Sequence, residues 1–179
     1  MMSDIEVHEA RERASLMLLD AGVVLSDAER ATIEVADFGL SELAQTGLQI
    51  VTYVNTTRVC AKELVLFPGQ TCPEHRHPPF DGTPGKEETF RCRTGIVYLY
   101  VPGPPTPEPA CRPGRAENGA YTVWHEVVLR PGDQHTIAPR TRHWFQGGPA
   151  GAVVSEFSTQ SRDDLDVFTD PDIVRVDAG

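Results

Sequence analysis

PGQTCPEHRHPPFDGTPGKEETFRCRTG (68–95) is the stretch that decides how the chain reads. His75 and His77 form an H-x-H. On an extended strand, side chains at i and i+2 leave the same face, so both imidazoles project together and Arg76 points away. Five residues separate Gly69 from His75, and six separate Glu88 from Gly95. Between the histidines and the glutamate, PPFDGTPGK (78–86) is too rich in proline and glycine to pair, so it interrupts what would otherwise be a tight hairpin. Two imidazoles alone make a poor metal site, and further ligands must come from other strands. The following strand offers Glu88 or Glu87, and the second half of the chain offers His143 or His135. Read in isolation, an H-x-H also describes two surface histidines on an edge strand.

Outward from this stretch the same strand character continues. Short runs rich in Val, Ile, Tyr and Phe occur at LQIVTYV (48–54), CAKELVLF (60–67), CPEHRH (72–77), EETFRC (87–92), IVYLYV (96–101), YTVWHEVVL (121–129) and AVVSEFS (152–158), with shorter HTI (135–137) and HWF (143–145). Pro-Gly and Gly-Gly turns join them, which predicts an antiparallel sandwich or barrel. Residues 102–120 carry six prolines and read as a semi-rigid surface excursion. Residues 173–176, IVRV, are expected to run along the barrel as a last strand. Upstream, Ser3-x-x-Glu6 and Ser26-x-x-Glu29 are capping boxes, predicting one helix up to Gly22 and a shorter one toward Ala36. The expected organisation is a helical extension over 1–47 and a β-barrel over 48–179.

Composition narrows the functional classes. With 16 Lys and Arg against 26 Asp and Glu, the formal charge of −10 argues against a nucleic-acid footprint or docking on an anionic membrane. No apolar run is long enough to span a bilayer, and the acidic start is unlike a secretory signal, so a cytoplasmic protein is expected. Cys60, Cys72, Cys92 and Cys111 show no C-x-x-C spacing and read as buried or free thiols. Only two of the sixteen basic residues are lysines, Lys62 and Lys86. Arg stays protonated, whereas a partly buried Lys can exchange its proton, so a chain this biased to Arg keeps Lys where Arg will not serve.

The spacing G-x5-H-x-H, a loop, then E-x6-G resembles the first motif of the cupin superfamily, with a longer loop than usual; the Gly95 spacing favours Glu88 over Glu87. Pro131-Gly132-Asp133 followed by Pro139-x3-His143 resembles the second motif without its second glycine, and favours His143 over His135. Three imidazoles and a carboxylate form a mixed nitrogen and oxygen set that suits Mn, Fe, Co or Ni ahead of structural Zn. Longer strings are similar to the D-lyxose isomerase family of metal-dependent cupins: EVADFGL (34–40), VNTTRVCAKELVLFPGQTCPEHRHPP (54–79), GKEETFRCRTGIVYLYV (85–101), YTVWHEVVLRPG (121–132) and HWFQGGPAGAVVSEFSTQSRDDLDVFTDP (143–171). That resemblance implies a cupin barrel, usually a homodimer, that uses manganese to interconvert D-lyxose with D-xylulose and D-mannose with D-fructose. It places the metal ligands on His75, His77, Glu88 and His143, and the catalytic pair on Lys86 and Glu156.

The chemistry asks for such residues. Moving a proton between C1 and C2 of a sugar needs a charge that polarises the carbonyl and a carboxylate that carries the proton. Glu156 sits in an apolar strand, where a carboxylate is costly unless paired, ligating or working; alternation puts Val154, Glu156 and Ser158 on one face. Lys86, beside a cation, is expected to have its pKa lowered toward neutrality and to handle the proton on oxygen. Lys62 is a candidate contact for a sugar hydroxyl. Phe90 and Trp144 are candidates for an apolar floor, and Arg162 and Asp163 for hydrogen bonds at the far end of a monosaccharide. The competing readings are a cupin isomerase for a sugar phosphate, for which Arg91, Arg93, Arg140 and Arg142 would have to converge, and a non-catalytic sugar-binding cupin.

Overall fold

A computed structural model describes residues 2–175. Helix α1 (Asp4–Asp20) starts on its capping box: Ser3 Oγ accepts from the Glu6 amide at 3.3 Å, and the Glu6 carboxylate accepts from the Ser3 amide at 2.7 Å. Its buried face of Ala10, Ala14 and Leu18 packs on Val51, Val65, Phe67 and Val153 of the sheet below. Ser26 repeats the device for α2 (Asp27–Ala31). The helix expected to reach Ala36 ends there, because the next residues alternate with period two. Val35 turns toward the α1 layer and Ala36 toward the barrel interior, and Glu34–Ala36 is strand β1. The first strand therefore lies within the stretch expected to be a helical extension.

Eight further strands follow: β2 (Leu48–Asn55), β3 (Cys60–Leu66), β4 (Thr71–Arg76), β5 (Glu88–Val101), β6 (His125–Leu129), β7 (Gln134–Ile137), β8 (His143–Ser158) and β9 (Val167–Phe168). They form one sheet in the order β1-β2-β3-β8-β4-β9, with β5 pairing β6, β7 and β8, and every named pair is antiparallel. The mainly β cupin barrel with its N-terminal helix is thus the fold. The sheet curls because β5 and β8 are long and bent. The start of β8 pairs with β4 and its end pairs with β3, while β5 follows it along both parts. Residues 87–92 and 96–101, expected as two strands, merge into one that starts at Glu88; 143–145 and 152–158 are likewise one. The bend replaces a turn. The register skips between Cys92 and Thr94 and again between Gly95 and Val97, as bulges do. Gly95 takes φ +75°, and a Cβ there would lie 2.0 Å from the Gly151 carbonyl oxygen.

Two other expectations change. The strand predicted over 121–129 begins at His125, because the amides of Thr122 and Val123 donate to the buried Glu74 carboxylate instead of to a ladder. The last strand is only Val167–Phe168, hydrogen-bonded to the end of β4; residues 173–175 are not in a strand, and 176 lies outside the described residues. Three apolar clusters fill the fold. One lines the barrel interior with Phe90, Phe145 and Leu64, one lies under α1, and one beneath the 102–120 excursion stacks Trp144 on Tyr100 with ring centroids 3.8 Å apart. Among the described residues no helix is long and apolar enough to cross a membrane.

Candidate active site

Strand pairing alone brings the site together. In the ladders His75 of β4 faces His143 of β8, and Glu156 of β8 lies between Lys62 of β3 and Phe90 of β5. Directly paired residues share a face, so these side chains all enter the barrel. Glu63, next to Lys62, leaves by the other face and accepts from Arg93 and Ser155. His77 lies just past the end of β4, and Lys86 just before β5.

The three imidazoles His75, His77 and His143 are buried, and their donor atoms lie within 4.8 Å of one another, the one group among the described residues able to hold a metal ion in this way. Each ring has its Nδ1 fixed by an oxygen: the Pro73 carbonyl for His75 at 2.8 Å, the Thr141 carbonyl for His143 at 3.0 Å, and the Asp166 carboxylate for His77 at 2.5 Å. That leaves each Nε2 turned to the centre of the cluster. Glu88 Oε1 stands 3.0 Å from Nε2 of His77 and 2.9 Å from Nε2 of His143. The latter contact lacks hydrogen-bond alignment, so His143 Nε2 is a buried nitrogen without a partner. Donor atoms this close suit bonds of about 2.1 Å to a first-row ion, which would take the place of the hydrogen that His77 Nε2 shares with Glu88 Oε1. Burial, reinforced by the neighbouring imidazoles, pushes His75 well below the usual histidine range and keeps it neutral, the form a ligand needs. Burial disfavours a charged His77 too, yet Glu88 and Asp166 raise it to about 9, and an ion at Nε2 would replace one of its protons. Glu88 is held well below the carboxylate range, against its burial, by Lys86, His77 and His143.

Beside this cluster stands a chain of charges. Lys86 Nζ lies 2.7 Å from Glu88 Oε2, 3.0 Å from Glu156 Oε1 and 3.9 Å from Asp163 Oδ1. Ser158 donates to the same Glu156 oxygen at 3.0 Å. Lys62 donates to Ser161 Oγ at 2.9 Å and to Asp163. Burial opposes the charge on Lys86, but Glu156 and Glu88 outweigh it and hold the lysine well above its ordinary range. Among these side chains alone Lys86 is held charged, as a proton donor, whereas the expected lowering concerns a cation beside it. Asp163 is held far below the carboxylate range, despite its burial, by Lys62 and Lys86.

Lys62, Lys86, Glu156, Phe90 and Asp163 thus surround one cavity of about 40 Å³ together with His75, His77 and Glu88. A second cavity of about 330 Å³ adjoins it, with His77 and Lys86 lining both. Arg162 lines only the outer one, where its guanidinium covers the Phe80 ring at 4.2 Å and pairs with Asp164. Trp144 lines neither. It neighbours His143 on β8, so alternation sends it to the opposite face, into the aromatic cluster with Tyr100 and Trp124. His135 pairs with Phe90 across the β5–β7 ladder and stays outside the imidazole group. Sequence reasoning missed Asp166, Phe168 and Arg175, which also line the inner cavity. Phe168 sits in the two-residue strand β9, and Asp166 and Arg175 lie in irregular chain around it, with no periodicity to mark a face.

No protein-family model matches the chain. It is 58% identical over 176 residues to a D-lyxose/D-mannose isomerase of Thermosediminibacter oceani, covering 98% of this chain and 97% of the relative. It is 57% identical to a D-lyxose ketol-isomerase of Thermofilum sp., covering 98% of each. Among solved structures, the L-ribose isomerase of Acinetobacter sp. DL28 superposes with a TM-score of 0.81 over 96% of this chain and 94% of its own, at 17% identity, a likeness of fold.

Proposed function

Because this chain belongs to the D-lyxose ketol-isomerase family, we propose that it interconverts D-lyxose with D-xylulose, and D-mannose with D-fructose, by proton transfer through an enediol. The observation that carries this reading is Glu156. It is a buried carboxylate in an otherwise apolar strand, bridged by Lys86 to Glu88 of the imidazole cluster.

His75, His77, Glu88 and His143 are the residues that would hold a divalent ion, manganese first and Fe, Co, Ni or Zn within the same donor chemistry. Bound there, it supplies positive charge against the sugar's carbonyl and neighbouring hydroxyl, a contribution of several kcal/mol to the barrier. Glu156 takes the proton from C2 and returns it to C1. Lys86, charged and within reach of Glu156, keeps that carboxylate oriented and gives a proton to the oxygen that becomes a hydroxyl, recovering one from the oxygen that becomes a carbonyl. Lys62 and Asp163, bonded to each other, offer a donor and an acceptor to the distal hydroxyls, and Phe90 closes the floor.

A sugar phosphate is the weaker reading. Arg91, Arg93, Arg140 and Arg142 do not line the cavity, and the cations that do, Lys62, Lys86 and Arg175, already face carboxylates. The family resemblance adds manganese and a homodimer to this reading.

The test is turnover. Protein loaded with manganese and given D-lyxose, D-mannose or glucose 6-phosphate in heavy water should form ketose from the first two only, with deuterium entering at C2 of recovered aldose. Glu156→Gln should keep its metal while turnover falls by about 10²–10⁴-fold. Ketose from none of the three by a metal-loaded wild-type chain would leave the sugar-binding cupin ahead.

A further inference from the structure

The three Nδ1 contacts are not alike. His75 and His143 donate to carbonyls two residues back on their own chain segment, so the local backbone orients them wherever β4 and β8 form. His77 instead meets a side chain 89 residues away, Asp166. It also lies beyond Arg76, the last residue of β4, at the start of the proline-rich loop, where no ladder fixes it. What reaches it is the C-terminal segment. In the β4–β9 ladder His75 faces Phe168 and Arg76 faces Val167, so continuing that register sets Asp166 opposite His77. Both side chains are buried, at 6% and 8% exposure, which makes an unpartnered group expensive on either side. The same segment seats the Phe168 ring 5.4 Å from the His75 ring, and Asp163 against Lys62.

We propose that Asp166 is a positioning residue for His77, and that the segment 161–170 is thereby a structural part of the metal site. This rests on the metal-binding reading above. The carboxylate accepts the Nδ1 hydrogen, fixes the ring's rotation, and leaves Nε2 aimed at the point shared with Glu88 and His143. A histidine released from this partner can turn about its side-chain bonds in the loop, and the donor set loses one arm.

The experiment is chelator-competition titration of manganese and zinc into wild type, Asp166→Asn and Asp166→Ala, with circular dichroism of each metal-free chain. Loss of such an orienting partner weakens metal affinity about 10–100-fold. Asp166→Ala should show that loss. Asp166→Asn, whose amide oxygen still accepts the hydrogen but carries no charge, should fall in between and keep the wild-type fold. Were the alanine variant to misfold, the asparagine variant alone decides, since any weakening there with an intact fold is the expected result. Affinities equal to wild type in a folded variant overturn the inference while leaving the metal site standing. A wild-type chain that binds neither ion overturns both.

Discussion

Both lysines of the chain end in one cavity, whereas of the fourteen arginines only Arg175 lines it. The reason is shape. Lys86 places one compact ammonium within 3.9 Å of the carboxylates of Glu88, Glu156 and Asp163, where a guanidinium would bring a larger, planar group with its donors fixed in one fork. The cysteines make the opposite case. All four are buried, and burial raises every one, Cys92 and Cys111 to about 11 and Cys72 well above the usual thiol range. The reacting form is the thiolate, so at pH 8 the folded protein should react only slowly with an aromatic disulfide reagent, and fully once unfolded in guanidinium. Labelling of the native chain at the rate of a free thiol would contradict the burial. Alternation made Glu156 and Ser158 legible in the sequence as inward neighbours. The same rule excludes Trp144 from the face that holds His143, so placing both at the sugar could not be right. Asp166 was not legible at all, because its partner is set by a ladder of two residues that no hydrophobic pattern announces.

At the scale of elements, β5 and β8 show where reading by turn residues fails. Gly95 and Gly147-Gly148 look like ends of strands, yet each strand passes through its glycines and bends. Extended geometry on both sides of a glycine is compatible with a turn or with a bulge, and only the long-range pairing of β5 with β8 selects the bulge. Gly95→Ala tests this. The position needs positive φ, and the new methyl would overlap the Gly151 carbonyl, so the backbone must shift. Denaturant unfolding should show a loss of at least about 1–3 kcal/mol, the usual cost of holding a side chain in a strained backbone region. An unchanged midpoint would mean the bend is soft and the bulge incidental. The region 121–124 failed for a different reason. Its composition is that of a strand, but the Glu74 carboxylate takes its amides and ties the 102–120 excursion to β4.

For the molecule as a whole, the consequence of drawing His75, His77, Glu88 and His143 from three strands and a loop is that binding and folding become one equilibrium. An ion that binds only the assembled donor set stabilises the native state by about 4 kcal/mol when present at a thousand times its dissociation constant. For a chain of this length each kcal/mol moves the melting temperature by about 2–4 °C, so manganese should raise it by roughly 8–16 °C over a chelator-treated sample. The effect must depend on the donors and not on screening of the acidic surface. His77→Ala should therefore lose nearly all of the manganese-induced rise, and magnesium at equal concentration should produce little of it, because magnesium is a hard ion that takes oxygen ligands and dehydrates reluctantly, so a set of three imidazoles suits it poorly. A wild-type melting temperature indifferent to manganese and to chelator would show that the buried imidazoles, their fixed Nδ1 bonds and the partnerless His143 nitrogen are held together by packing alone.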